Sequence, residues 1–370
     1  MLNRVIIDLQ ALLHNLDQVR KLVGARTKIM GIVKSDAYGH GSLPVSLAFQ
    51  KRGIDALGVA QLHEALELRE GGVTCPVVVL SGIRTRADAE EVVRRKLIPV
   101  LFDIGSAEVL AEECRRRERK IAVHVKVDTG MGRLGVGPEE IGPFLRRISD
   151  LKALSVDGLM SHLSSADEAD PGFTLTQLAR FREAIETGRS QGFDLRCNHV
   201  ANSAGIMAHR ESFFHMVRPG IMLYGGRPSP EFVAPVPLRP AMQFVCRVLQ
   251  IKELPDQVPV SYGRTYYTKG RRRIAVLSAG YGDGLPRSMS NRAKVLIREK
   301  TADVVGRVCM NLIMCDVTDV EGVLPGDEAV CLGGQGARCI TGDDLAAWSE
   351  TISYEVFCSI GQRNRREYVA

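Results

Sequence analysis

The sequence holds no apolar run of the roughly 20 residues that a bilayer-spanning helix needs. Its opening, Met1-Leu2-Asn3-Arg4, leads into no long apolar core of the signal-peptide kind, so a cytoplasmic location is the default expectation. No two of the nine cysteines form a Cys-x-x-Cys pair, and none has the histidine spacing of a zinc site. An odd number of scattered thiols reads as a reduced, mostly buried set rather than a disulfide framework. Aromatics are not interleaved with the clusters Arg115-Arg116-Arg117 and Arg271-Arg272-Arg273, so these read as solvated faces rather than a nucleic-acid surface.

What is present is ordinary for a soluble globular chain: 45% hydrophobic and 25% charged residues, with a formal charge of +6. A modest positive field favours small carboxylates as ligands. The length of 370 residues exceeds one small core and points to about two domains.

Asp8 has the character of an N-cap, and Leu9, Leu12, Leu13, Leu16, Val19 and Leu22 recur at helical spacing until Gly24. Beyond it, short apolar runs alternate with amphipathic stretches. The runs are Ile29–Val33, Ala56–Ala60, Val77–Leu80, Ile98–Phe102, Ala122–Val127, Val156–Ser161, Asn198–Ala201 and Met216–Arg218. Helical periodicity fills Gln61–Arg69, Ala87–Arg95, Ser106–Arg116 and Leu175–Gly188. Strands alternating with helices predict an α/β fold, a (β/α)₈ barrel over residues 1–235, with its active site at the carboxyl ends of the strands. After Tyr224 a Gly- and Pro-rich linker begins. Residues 236–370 then read as a mainly β domain, with one helix-like stretch at Thr341–Trp348 and a polar, basic tail from Gln362 to Glu367.

One stretch has particular chemical interest. Lys34 follows the apolar run Ile29–Val33, and a hydroxyl, a carboxylate, a phenol and two glycines around an imidazole come next: Ser35-Asp36-Ala37-Tyr38-Gly39-His40-Gly41. A lone lysine at a strand end is ordinarily a solvated charge. A buried one is shifted towards neutrality and becomes a nucleophile or base. Elsewhere, Ser203 and Gly220 read either as cap and turn residues or, with the Ile221 backbone and the Tyr38 hydroxyl, as convergent donors for a phosphate. Arg218 alone reads as an ion-pair residue, and Tyr262 as a packed hydroxyl ring.

The string from Val33 to Gly41 resembles a signature of the alanine racemases. His124–Gly135, His199–Ala204, Val217–Gly225, Val260–Gly263, Gly280–Gly284 and Gly306–Met310 resemble further motifs of the same family, in the same order. The resemblance implies that Lys34 carries pyridoxal phosphate as a Schiff base, with Tyr38, His162, Asn202, Ser203, Arg218, Gly220 and Ile221 around the cofactor. It implies that Arg218 faces the pyridine nitrogen and, being donor-only, keeps that nitrogen unprotonated. Racemisation needs acid/base groups on both faces of Cα. The resemblance assigns these to Lys34 and Tyr262, the latter arriving from the second subunit of a head-to-tail homodimer and hydrogen-bonded to His162. Arg133, the Met310 backbone and Tyr281 are implied at the substrate carboxylate and entrance, Lys126 as a residue carbamylated in some members, and residues 1–8 as a strand of the β domain. Asp167, Arg287 and Arg307 fall where the family lines its approach corridor, although surface pairing accounts for them equally well.

Two departures stand out. Asn311 replaces an aspartate that many members carry after the Cys-Met pair, and Gln362 stands in a segment that in some members supplies a tyrosine to the phosphate and the pocket wall. The implied activity is interconversion of L- and D-alanine for peptidoglycan supply, with no metal, membrane or nucleic-acid partner. Competing readings are a racemase of broader specificity, for serine or basic amino acids, a non-catalytic cofactor-binding barrel, and a decarboxylase of the same architecture. The decarboxylase would be expected to place a carboxylate where Arg218 stands.

Overall fold

A computed structural model describes residues 2–233 and 236–370. The domain boundary expected at Pro235 lies outside the described residues. Strand β1 (Arg4–Asp8) runs into a helix over Leu9–Val23, and Asp8 caps it by accepting a hydrogen bond from the Ala11 N–H at 3.0 Å. Such a cap is worth about 0.5–2 kcal/mol. Gly24, with φ of 77°, ends the helix as its position suggests.

Seven parallel strands follow: β2 (Lys28–Ile32), β3 (Ala56–Val59), β4 (Val77–Val79), β5 (Ile98–Leu101), β6 (Ile121–Lys126), β7 (Leu154–Met160) and β8 (Met216–Val217). Their order in the sheet is β7-β6-β5-β4-β3-β2-β8. Parallel bridges from Met160 to His199 and from His199 to Met216 join the two outer strands and close the ring. β3 and β4 are buried at every position, which is why they read as unbroken apolar runs rather than alternation. Helices such as Leu62–Glu70, Arg86–Arg94, Ile104–Arg116 and Gly172–Ser190 follow strands in the (β/α) alternation.

The strand expected over Asn198–Ala201 is reduced to the single bridging residue His199. The Asn198 side chain is the physical reason. Its Oδ1 accepts from the Leu159 N–H at 2.8 Å, taking a position that a backbone carbonyl of a regular strand would fill.

The second unit is a nine-stranded sheet: β9 (Met242–Leu254), β12 (Arg272–Leu277), β13 (Lys294–Ile297), β14 (Lys300–Val304), β15 (Ile313–Asp316), β16 (Glu328–Gln335), β17 (Arg338–Ile340), β18 (Arg366–Val369) and β1. A small hairpin of β10 (Pro259–Val260) and β11 (Tyr266–Tyr267) stands apart from it. β1 lies between β9, antiparallel, and β18, parallel, with Val5 opposite Arg366. The expected polar tail is therefore largely structured. Ser353–Arg363 is a helix and Arg366–Val369 an edge strand, whose charges suit an unpaired outer edge and mask its pairing in the sequence.

Candidate active site

The carboxyl ends of six of the seven strands, all but β5, and the segment after the His199 bridge converge on a cavity of about 360 Å³. Lys34 stands just beyond β2, Lys126 ends β6 with Arg133 on the loop after it, and His162 follows β7. Asn202 and Ser203 follow the His199 bridge, and Arg218, Gly220 and Ile221 follow β8. All of these, with Tyr38, line the cavity. Lys34 therefore faces inward, and burial lowers the pKa of its amine, helped by Arg133 and opposed by Glu64.

The backbone after Lys34 is unusual. Ser35, Asp36, Ala37 and Tyr38 all take left-handed φ values of 52–56° without a glycine among them. This conformation costs roughly 1–2 kcal/mol per residue, so surrounding contacts must hold it. Glu64 is one holder: its carboxylate accepts from the Ser35 N–H at 2.5 Å and from the Ala60 and Gln61 N–H groups at 2.8 Å each. His40 is a second, with Nδ1 at 3.1 Å from the carbonyl oxygens of both Ala37 and Tyr38. Tyr38 is thereby laid against Tyr224, ring centroids 4.8 Å apart, and the Tyr224 hydroxyl donates to the Ile32 carbonyl at 2.8 Å.

Arg218 is 3% exposed and meets no carboxylate among the described residues. Its guanidinium donates to Nδ1 of His199 at 2.8 Å, to Nδ1 of His162 at 3.1 Å, and to the carbonyls of Ser161 at 2.6 Å and Val200 at 3.1 Å. Burial lowers its pKa to about 9, so it remains a cation at neutral pH. Burial and the Arg218 charge hold both histidines well below their usual range, so each accepts at Nδ1. The proton of His199 is then on Nε2, which donates to Nδ1 of His124 at 2.9 Å.

Arg133 is presented by a loop built on one carboxylate. Asp128 Oδ1 accepts from the N–H groups of Gly130, Met131 and Gly132 at 3.0, 2.8 and 3.1 Å, and Oδ2 from Arg133 at 3.1 Å. The cavity lining holds four cations, Lys34, Lys126, Arg133 and Arg218, and no Asp or Glu. Burial and the neighbouring guanidinium groups push the Lys126 pKa down to about 8. A site so charged is built for an anionic ligand.

Tyr262, Met310 and Tyr281 are not in this cavity. They are exposed together on the β domain, Tyr262 by 68% and Met310 by 57%. Their loops interlock: Ser261 Oγ donates to the Arg307 carbonyl at 2.7 Å, and the N–H groups of Tyr281 and Gly282 bond the Cys309 and Met310 carbonyls at 3.0 and 2.7 Å. Tyr262 makes no hydrogen bond to His162 within the chain, and Asn311 is exposed beside Met310. Arg287 is also exposed, Arg307 is half-buried near Gly263, and Asp167 is half-buried and adds to the rise that burial causes in the Tyr354 pKa.

Two polar lining residues were missed by sequence reasoning, Ser81 just beyond β4 and Tyr354. Tyr354 packs against Tyr38 with centroids 5.7 Å apart and the rings tilted by 47°. Gln362 is exposed and absent from the lining, and the tyrosine that its helix supplies there is Tyr354. A helical face would have revealed Tyr354: with Phe357, Cys358 and Gly361 it forms an i, i+3, i+4, i+7 stripe.

Two family models match, "Alanine racemase, N-terminal domain" over residues 7–228 and "Alanine racemase, C-terminal domain" over residues 241–368. This chain belongs to the alanine racemase family. Among its relatives, "Alanine racemase 2" of Caldanaerobacter subterraneus subsp. tengcongensis is 41% identical over 367 residues, covering 99% of this chain and 94% of that protein. The solved alanine racemase from D-cycloserine-producing Streptomyces lavendulae superposes with a TM-score of 0.93 at 32% identity, covering 100% of this chain and 97% of that one. The Bartonella henselae alanine racemase, solved with covalently bound pyridoxal phosphate, gives 0.88 at 28% identity with full coverage of both chains.

Proposed function

We propose that this chain is a pyridoxal-phosphate-dependent alanine racemase that works as a homodimer, each cavity completed by Tyr262 and Met310 of a second copy. The carrying observation is the cavity itself, four cations without a carboxylate around an inward-facing lysine of lowered pKa. The cofactor fits that chemistry. A phosphate dianion answers part of the charge, and a Cβ added at Gly220 would lie 2.6 Å from the Tyr38 hydroxyl, so glycine keeps a cradle open between backbone and phenol.

The residues that would hold the phosphate are Tyr38, Asn202, Ser203, Gly220, Ile221 and Tyr354. Lys34 would hold the aldehyde carbon through its amine. When bound, pyridoxal phosphate supplies the electron-withdrawing ring that acidifies the substrate Cα–H. Arg218, a cation at neutral pH that His199 and His162 hold in place, would face the ring nitrogen as a donor. Arg133 and the Met310 backbone hold the substrate carboxylate. A carbamate on Lys126, whose pKa of about 8 leaves reactive free amine near neutral pH, would brace Arg133.

Lys34 moves the proton on one face of Cα and Tyr262 on the other. The exposure of Tyr262 on its own chain is what a residue donated to a partner's cavity requires. No helix among the described residues is long and apolar enough to cross a membrane. D-alanine made in the cytoplasm would serve peptidoglycan assembly. The test is to incubate the purified protein and pyridoxal phosphate with single L-amino acids and follow chirality. Alanine is expected to racemise fastest. Faster racemisation of serine or a basic amino acid would favour the broad-specificity reading, and no racemisation of any would reject the enzyme reading.

A further inference from the structure

The left-handed turn that aims Lys34 and Tyr38 is gripped from the far end of the chain. Arg366, first residue of edge strand β18, extends its guanidinium to the Asp36 carboxylate and donates to the Gly39 carbonyl at 3.1 Å. The other Asp36 oxygen accepts from the Ser42 N–H at 2.7 Å, so one carboxylate joins the turn, the following helix and the terminal strand. The same terminal segment presses on the turn at three glycines. A Cβ on Gly39 would collide with the Phe357 carbonyl, one on Gly41 with the Tyr368 hydroxyl, and one on Gly361 with the Gly39 carbonyl. Phe357 also meets the His40 ring edge-on at 5.3 Å between centroids.

We propose that Arg366 is a positioning residue for the cofactor site: its simultaneous hold on Asp36 and Gly39 keeps residues 35–38 left-handed, and so keeps the Lys34 amine and the Tyr38 hydroxyl aimed into the cavity. The physical need is clear from magnitudes. Four left-handed residues that are not glycine together cost several times what one neutral hydrogen bond returns. A charge-assisted pair bonded to both side chain and backbone offsets a larger share. Both contacts leave a single terminal nitrogen of Arg366, Nη1, which the rigid guanidinium plane aims at the two acceptors together, whereas a lysine ammonium on its flexible stem is not aimed in that way. The proposal rests on Lys34 as the amine that binds pyridoxal phosphate, and its test separates the two claims.

Full-length apoprotein is titrated with pyridoxal phosphate by equilibrium dialysis, with borohydride trapping to locate the modified lysine and hydrogen exchange to follow amides 35–42. Wild type must bind and be trapped on Lys34; failure there overturns the cofactor reading itself. Given that, Arg366→Ala is expected to raise the dissociation constant at least tenfold and to speed exchange in 35–42. Asp36→Asn should do the same, and it decides the matter if Arg366→Ala does not fold. The double variant should be no worse than the weaker single, and Arg366→Lys should recover part of the loss. Glu367→Gln, which breaks only the strand's other ion pair, to Arg4 at 3.8 Å, should match wild type in both readouts. Dissociation constants within twofold of wild type for Arg366→Ala or Asp36→Asn, multiplicative losses in the double variant, or an equal loss in Glu367→Gln would each overturn it.

Discussion

Nδ1 of His199 lies 2.8 Å from the Arg218 guanidinium, and this contact makes the residue that closes the barrel ring also the residue that anchors a buried cation of the cavity lining. Because Arg218 can only donate, His199 must stay neutral to receive it. The arrangement passes outward to His124 at 2.9 Å, and the imidazole there must be neutral too.

A pH dependence of stability follows from these buried rings. Burial lowers the pKa of His40 and His124 from 6.5 to about 4, and with the Arg218 charge it takes His162 and His199 well below 6.5. Below 6.5 the unfolded chain binds protons that the folded chain refuses. Stability from these groups is thus complete above 6.5 and lost as pH falls towards 4, at up to about 1.4 kcal/mol per pH unit for each ring. Urea midpoints measured from pH 8 to 4 should be flat down to 6.5 and then decline, and His124→Phe should decline less steeply. An unchanged slope in that variant would contradict the assignment.

Gly220→Ala should weaken pyridoxal phosphate binding at least tenfold with little change in melting temperature. The added methyl falls 2.6 Å from the Tyr38 hydroxyl, inside the cradle rather than the core. Calorimetric titration of the apoprotein, beside a thermal melt, measures both.

Asp128→Ala removes the carboxylate that gathers four N–H groups under Arg133. Bonds to a charged acceptor are worth about 1.5–3 kcal/mol each, so the loop should loosen and misplace the guanidinium. Steady-state kinetics are expected to show KM for alanine raised at least tenfold and cofactor affinity near wild type. Unaltered KM would mean that Arg133 is held by something else.

Much of the site was legible because barrel chemistry collects at strand ends, where a short run followed by Lys34, Arg133 or Arg218 is a local signal. The missing parts depend on distant partners. Tyr354 reaches Tyr38 across more than three hundred residues of chain, and the pairing of Val5 with Arg366 links the two ends of the molecule. A left-handed turn over Ser35–Tyr38 has no glycine to announce it. Its conformation is imposed by Glu64, His40 and Arg366, none of which marks a turn locally. The strand expected at Asn198–Ala201 failed for a similar reason, since a side-chain amide stood in for the ladder.

The central claim is a two-sided proton transfer in which Lys34 serves one face of Cα and Tyr262, contributed by a second copy, the other. Its most direct measurement is deuterium entry at Cα of each alanine enantiomer in deuterated water, using Tyr262→Phe loaded with pyridoxal phosphate. The account predicts that racemisation stops while exchange persists in one enantiomer, through Lys34, and disappears from the other. Exchange of both enantiomers at the wild-type rate would contradict it.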